Sequence, residues 1–193
     1  MRETCGSTHI FVRKTSSHKA GGTMLFALCG QSAAGKTTIQ QALLHQLPQC
    51  GRLTTATTRA SRPGETSEDY HFLTQERFQA AMAAGQIVCP IVHRGAWYGT
   101  LRDEMMACRH HDRVGVLRPD KLPELAHLAP IISFFLHRLD LEPDRTEDER
   151  LILAYQTLCT YQVTNVPGQV EQAVQQILTL MHTHSGGSYD ATH

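Results

Sequence analysis

The chain has 193 residues, of which 41% are hydrophobic, so it can form one domain with a real core, or one domain with a small inserted lobe. Lysine plus arginine and aspartate plus glutamate both number 18, so no overall field recruits nucleic acid or an anionic membrane. No segment approaches the roughly 18 consecutive apolar residues of a membrane span. Any anion site must therefore be built locally.

Short apolar and β-branched runs alternate with amphipathic segments along the chain. Strands are predicted at 24–29, 52–58, 86–92, 113–117, 130–136 and 160–165. Helices are predicted at 36–47, at 75–85 behind an N-cap at Thr74, after the charged stretch 137–150 to about 159, and at 168–181. Residues 97–100 read as a turn and 119–128 as helix or loop. This alternation predicts an α/β fold with a mostly parallel sheet and helices on both faces.

The two ends of the chain are polar. Residues 1–23 lack the apolar stretch of a secretory signal, and we expect a flexible extension there, with translation starting at Met1 or Met24. Residues 182–193 contain few apolar side chains and are expected to be disordered. The six cysteines form no C-x-x-C pair, which favours a reduced, cytoplasmic chain with buried thiols over a zinc site.

A phosphate-binding motif follows the first predicted strand. The sequence "GQSAAGKT" at 30–37 fits G-x-x-x-x-G-K-[ST] and stands between a strand and a helix, as that motif requires. It predicts a three-layer P-loop nucleotide-binding core in which backbone N–H groups and Lys36 hold the phosphates of ATP, while Thr37 binds Mg²⁺. The residues predicted to hold the donor are Gly30, Ser32, Ala33, Ala34, Gly35, Lys36, Thr37 and Thr38.

The rest of the chain carries further blocks in a fixed order. They are "TTATTR-x-x-R-x-G-E", "DYHF", "WYGT" and a late "VTN". Together with the phosphate loop, these blocks resemble the guanylate kinase family over residues 24–181. The resemblance implies an acceptor-binding lobe at about 54–100 and a lid at about 137–150.

The resemblance also implies roles for individual side chains. Arg59 and Arg62 would clamp the acceptor phosphate, since paired guanidinium groups suit a dianionic phosphate. The other acceptor residues that it implies are Thr55, Glu65, Tyr70, Tyr98, Thr100 and Asp120. Asn165 matches a position near the donor adenine, and Arg145 and Arg150 match lid arginines that act on the transferring phosphate. The alternative for Arg59 and Arg62 is two solvated loop arginines.

Three departures from the family pattern stand out. Cys89 occupies the position of a glutamate that reads guanine, and a protonated thiol is a poor acceptor. Arg118 occupies the first position of an Asp-x-Asp pair, so that it either binds a phosphate or is a surface residue, while Asp120 is retained. The lid segment is short and contains six acids, which leaves a solvated, salt-bridged helix start as the alternative.

The sequence therefore predicts phosphoryl transfer from ATP with Mg²⁺ to a nucleoside monophosphate, GMP or dGMP first. Two alternatives stay open at this stage. One is a kinase of another phosphorylated acceptor such as ribose 1,5-bisphosphate, and the other is a binding module of weak activity. Small-molecule nucleotides are the predicted partners, without nucleic acid or membrane, and the sequence leaves the oligomeric state open.

Overall fold

The computed structural model describes residues 22–138, 140 and 146–184. Its strands, numbered in chain order, are β1 Leu25–Gly30, β2 Gly51–Arg52, β3 Thr55–Thr57, β4 Tyr70–Phe72, β5 Ile87–His93, β6 Ala96–Leu101, β7 Arg113–Val116, β8 Ile131–His137 and β9 Tyr161–Thr164. Its α-helices are α1 Lys36–Gln46, α2 Gln75–Ala83, α3 Arg102–Ala107, α4 Leu122–Leu125, α5 Glu147–Ala154 and α6 Val170–His184. Short 3₁₀ turns lie at Pro119–Lys121 and Gln156–Leu158.

A five-stranded parallel sheet forms the centre of the described residues, in the order β2-β7-β1-β8-β9. Strand β1 lies in the middle, with Leu25 paired to Arg113 on one side and to Ile131 on the other. All six residues of β1 are buried, because an apolar run without alternation suits a strand covered on both faces. The predicted α/β fold with a mostly parallel sheet is confirmed.

Side chains of β1 alternate between two cores, one on each face of the sheet. Phe26 and Leu28 point into a cluster that also holds buried residues of α1 and α6. Leu25 and Cys29 point into a second cluster with buried residues of α3, α4 and α5. The sheet is therefore the middle of three layers.

A second sheet of four strands, in the order β4-β3-β6-β5, forms the lobe predicted at about 54–100. Strands β5 and β6 make a hairpin whose two turn residues, Arg94 and Gly95, both have positive φ (49° and 79°), as a type I′ turn requires. Gly99 in β6 has no room for a side chain, because an added Cβ would lie 2.3 Å from Cγ2 of Ile87. Helix α2 closes this sheet through the buried ring of Phe78.

Several predicted elements differ from the structure. Residues 52–58 were expected to form one strand, but they divide into β2 of the central sheet and β3 of the lobe. Leu53 is buried in the central core opposite Gly115, where an added Cβ would approach Leu53 to 2.7 Å, and the chain leaves the sheet there. Residues 97–100 lie in β6 rather than in a turn, and α6 continues to His184, beyond the boundary expected at 181. Strand β4 and helix α3 were not predicted.

The predicted N-cap of α2 is confirmed, since the side chain of Thr74 accepts a hydrogen bond from the backbone N–H of Arg77. Both predicted end segments, 1–23 and 182–193, fall largely outside the described residues. Across the part of the chain that is described, no helix combines the length and apolar character needed to cross a bilayer.

Candidate active site

The phosphate loop connects the end of β1 to the first turn of α1. Gly30, Ala33 and Gly35 have positive φ, a backbone conformation that is common in loops whose N–H groups bind anions. Gly35 is required for space as well, because an added Cβ would lie 2.4 Å from Nδ2 of Asn165. The loop therefore has the conformation in which backbone N–H groups bind phosphate.

Lys36 places its ammonium group inside this loop. Its Nζ donates hydrogen bonds to the carbonyl oxygens of Gly30 at 2.8 Å and Gln31 at 2.5 Å. Burial lowers the pKa of Lys36 to about 8, while the nearby carboxylate of Glu149 acts in the opposite direction. The side chain is still mostly protonated at pH 7, and its charge stands where an anion would enter.

The side chain of Asn165 is hydrogen-bonded to the backbone of the phosphate loop. Its side chain is 3% exposed, and its Nδ2 donates to the carbonyl of Ala34 at 2.9 Å. The position of this residue near the donor adenine stays a prediction, and the contact that the structure shows is the one with the loop backbone. Thr38 points outward from α1 and is exposed.

Glu149 is a contact of the phosphate loop that sequence reasoning missed. Its side chain is fully buried, and one carboxylate oxygen accepts the backbone N–H of Ser32 at 3.0 Å. The other oxygen is buried without a hydrogen-bond partner among the described residues. In the sequence it is one of six acids of the lid segment, for which a solvated helix start was the alternative. Its spacing of three residues from the buried Ile152 was the available signal, because i and i+3 share a helix face.

Arg59 is held in place from two sides. Both of its terminal nitrogens donate to the carboxylate of Glu65, at 2.8 and 3.0 Å, and its guanidinium lies over the ring of Tyr70 at 5.2 Å. The hydrogen bonds that Arg59 donates to Glu65 raise the pKa of Arg59 and lower the pKa of Glu65, so both stay charged. Arg62 differs, since its hydrogen bonds with Glu65 are made by the backbone: its N–H donates to the carboxylate at 2.7 Å, and its carbonyl accepts the Glu65 N–H at 3.0 Å.

One cavity of about 580 Å³ joins the phosphate loop to the lobe. Of the residues named from the sequence, those that line it are Gly30, Ser32, Ala33, Lys36, Thr37, Thr55, Arg59, Arg62, Tyr70, Tyr98 and Thr100. Cys89, Arg118 and Lys121 line it as well. The structure thus brings the predicted donor and acceptor residues to one continuous space.

Arg118 lies in an ion-pair cluster at this cavity. Its Nε donates to Asp120 at 2.9 Å and its Nη1 to Asp148 at 2.9 Å. The second oxygen of Asp148 is 2.6 Å from Nδ1 of His93, at the end of β5. Burial opposes ionisation of Asp148, but the hydrogen bonds from Arg118 and His93 outweigh it and lower its pKa. Arg118 is therefore neither a free phosphate ligand nor a solvated surface residue.

Asp120 does not line the cavity, although it was predicted to bind the acceptor. Its side chain is only 10% exposed, and its carboxylate is directed to Arg118, with the ammonium of Lys121 at 3.8 Å. The contact that the structure shows for Asp120 is to a cavity-lining arginine rather than to the cavity itself.

The predicted lid contains three arginines, Arg138, Arg145 and Arg150. Arg145 lies outside the described residues. Arg150 is exposed and is not among the residues that line the cavity. Arg138 donates from Nη1 to the carbonyl of Ala33 at 3.3 Å and from Nε to Asp140 at 2.8 Å. Of the two lid arginines that the structure describes, Arg138 is the one placed at the phosphate loop.

The oxygen atoms at the phosphate loop suit a hard divalent cation that is bound mainly by the phosphates of a nucleotide. Within the described ranges, no group of three or more His, Cys, Asp or Glu side chains is arranged to hold a metal. Thr37 is exposed at the start of α1 and lines the cavity. Mg²⁺ is commonly bound by one or two protein oxygens together with substrate phosphates, so these residues fit it.

Comparisons with known proteins agree with this geometry. The model of the guanylate kinase family matches residues 23–133. The guanylate kinase of Salinibacter ruber is 43% identical over 83 residues, covering 42% of this chain and 44% of that protein. The guanylate kinase of Trichormus variabilis is 33% identical over 93 residues, covering 48% of this chain and 47% of that protein. The chain thus spans about half the length of these curated relatives.

A solved structure matches over most of the chain. The guanylate kinase from Anaplasma phagocytophilum aligns with a TM-score of 0.68 and 17% identity, covering 88% of this chain and 89% of that one. At this identity the match shows the fold alone. The stronger sequence similarity falls in the first two thirds of the chain, which contain the phosphate loop and the lobe.

Proposed function

Because this chain belongs to the guanylate kinase family, we propose that it transfers a phosphoryl group from ATP to GMP or dGMP. The observation that carries the proposal is that one cavity is lined both by the phosphate loop with Lys36 and by Arg59. The guanidinium of Arg59 is fixed by its hydrogen bonds to Glu65. Two separate groups of positive charge facing one space suit two phosphate esters that must meet end to end.

The donor half of the site consists of the phosphate loop, Lys36 and Thr37. The backbone N–H groups and the Lys36 ammonium bind the donor phosphates and offset their charge. Thr37 would hold Mg²⁺, which when bound neutralises part of the charge on the β- and γ-phosphates. Arg138, which already contacts Ala33, extends the positive charge of this half.

The acceptor half consists of Arg59 and Arg62 with the hydroxyls of Tyr70 and Tyr98. Their task is to place an oxygen of the acceptor phosphate in line with the γ-phosphorus. A bond forms between that oxygen and phosphorus as the bond to the β–γ bridging oxygen breaks, and ADP leaves with the electron pair. No covalent intermediate with the protein is required, so positioning and charge account for most of the rate.

The cysteines support a reducing location such as the cytoplasm. Cys29, Cys50, Cys89, Cys108 and Cys159 are all free and buried. Structural disulfides belong to oxidising compartments. Buried free thiols instead pack as small apolar side chains.

The experiment is a coupled assay of ADP release from ATP and Mg²⁺ with GMP, dGMP, AMP, UMP or ribose 1,5-bisphosphate as the acceptor. We expect GMP and dGMP to give rates well above the no-acceptor blank. Turnover of the sugar bisphosphate with a silent GMP reaction would contradict the proposal and favour the other kinase. Tight GMP binding without any turnover would favour a binding module.

A further inference from the structure

One part of the cavity lies beyond the Arg59 clamp and has its own chemistry. We call it the distal end and define it by Thr55, Cys89, Thr100, Arg118 and Lys121, all of which line the cavity. Thr55 and Thr100 are paired across β3 and β6, and Val88 pairs with Thr100, so Cys89 follows directly. Lys121 lies near enough to Cys89 to act on the pKa of its thiol, and Asp120 contacts both Lys121 and Arg118. The five residues are therefore neighbours, where the body of an acceptor would lie.

The distal end offers hydrogen-bond donors and almost no strong acceptor. Among the residues that the structure describes, none that lines the cavity is an aspartate or a glutamate. Burial raises the pKa of Cys89 to about 12, which keeps its thiol protonated at neutral pH. Glu124, which contacts that thiol, is exposed and does not line the cavity. The hydroxyls of Thr55 and Thr100 are the remaining side-chain groups of the distal end that can accept well.

Arg118 is the best-oriented donor of the distal end. Two carboxylates, Asp120 and Asp148, each bind one of its nitrogens at 2.9 Å and so fix the plane of the guanidinium. Its side chain is only 13% exposed, which limits other orientations. Because Asp120 and Asp148 are engaged in this way, they act through Arg118 rather than as acceptors for a ligand.

We propose that Arg118 reads the acceptor edge of a 6-oxopurine, and that the site does not read the 2-amino group of guanine. This inference rests on the proposed function and names its acceptor class as 6-oxopurine nucleoside monophosphates. Arginine commonly donates to the O6 and N7 atoms of guanine, an edge that GMP and IMP share. AMP presents an amino group at position 6, which would face the guanidinium donor to donor.

The 2-amino group of GMP meets no carboxylate in the distal end. A site built to hydrogen-bond a substrate group discriminates strongly against an analogue that lacks it, because its buried partner is left unpaired. No such partner is found among the described residues that line the cavity, so the lack of a 2-amino group should cost IMP little kcat/KM relative to GMP. The N1–H, which both bases carry, can donate to a threonine hydroxyl.

The test is a comparison of kcat/KM for GMP, IMP and AMP with ATP and Mg²⁺ in the full chain. We expect GMP and IMP to agree within about threefold, and both to exceed AMP by about 100-fold or more. A GMP preference over IMP of 100-fold or more would overturn the inference and show that a carboxylate such as Asp120 or Glu124 reads the 2-amino group. Activity with none of the three would overturn the proposed function itself.

Two variants of Arg118 test whether this side chain produces the preference for GMP and IMP over AMP. Arg118→Met removes the donors, and Arg118→Lys keeps the charge but loses the planar fork. Both are expected to reduce the preference for GMP and IMP over AMP by about 10-fold or more while the KM for ATP stays unchanged. Should Arg118→Met fail to fold, Arg118→Lys alone decides. The matched control is Arg109→Lys, since Arg109 donates to the Leu128 carbonyl away from the cavity. An unchanged preference in folded Arg118 variants would overturn the role of Arg118.

Discussion

The carboxylate of Glu149 accepts the backbone N–H of Ser32 at 3.0 Å, so helix α5 is attached to the phosphate loop by a buried negative charge. Such a charge holds the helix in place, but it also repels the phosphates of an incoming donor. Glu149 therefore influences the donor site without belonging to the phosphate-loop motif.

Glu149→Gln tests this influence. The amide keeps an oxygen for the Ser32 N–H and removes the negative charge, so we expect metal-free ATP to bind roughly tenfold more tightly. Isothermal titration calorimetry in the presence of EDTA measures the Kd. Glu147→Gln is the control, because Glu147 lies on the same helix turn and is exposed. Equal ATP affinity in both variants and the native chain would contradict the electrostatic role of Glu149.

Lys36→Ala is expected to abolish measurable phosphoryl transfer with the fold intact. Removal of one preorganised positive group at a transferring phosphate lowers kcat by about 100- to 1000-fold, or more. Steady-state assays and circular dichroism check the two parts of the prediction. Arg77→Ala, an exposed site on α2, serves as the control for loss of a positive charge. An active, folded Lys36→Ala variant would remove the loop lysine from the mechanism.

Arg59→Ala should chiefly raise the KM for GMP. A hydrogen bond to a charged group contributes about 1.5–3 kcal/mol, so the increase should be roughly 10- to 100-fold with the KM for ATP unchanged. Arg62→Ala provides an internal comparison, because Arg62 lacks the side-chain pairing with Glu65 and should show a smaller increase. If the KM for GMP stayed at the native value in Arg59→Ala, the phosphate clamp would be refuted.

The buried thiols should react slowly in the folded protein. Burial raises the pKa of Cys50 and Cys89 to about 12 and that of Cys108 to about 11. Since the thiolate is the reactive form, only about one part in 10⁴ of a group with pKa 12 is reactive at pH 8. Alkylation should therefore accelerate with rising pH for as long as the fold persists.

Iodoacetamide labelling with and without urea, followed by mass spectrometry, measures this protection. A Cys5→Ser background removes the cysteine that lies outside the described residues. Labelling of Cys89 in the native chain at the rate of the unfolded chain would show that the cavity end is open and the thiol unprotected.

Local patterns predicted the parts of the fold that depend on neighbouring residues. Residues within a few positions of one another determine the apolar run of β1, the phosphate loop and the Thr74 cap of α2. The β-branched run at 52–58 could not show that β2 and β3 join different sheets, because strand propensity does not name a partner.

The site was predictable where a motif exists and hidden where contacts come from distant segments. Lys36 and Arg59 stand in recognisable patterns and line the cavity. The contact of Glu149 with Ser32 crosses 117 positions of sequence, and that of Asp148 with His93 crosses 55. The lid segment has six acids, and its sequence does not show which of them long-range packing directs toward the site. Arg150, chosen by resemblance, instead faces solvent.

The central claim is that one cavity holds two phosphate esters end to end. The most direct measurement is calorimetric titration with adenosine and guanosine joined through five phosphates, a single molecule that spans both halves. We predict 1:1 binding, tighter than ATP or GMP alone, and displacement by either nucleotide. Binding that ATP displaces and GMP leaves untouched would contradict the claim, because the Arg59 half would then hold no phosphate.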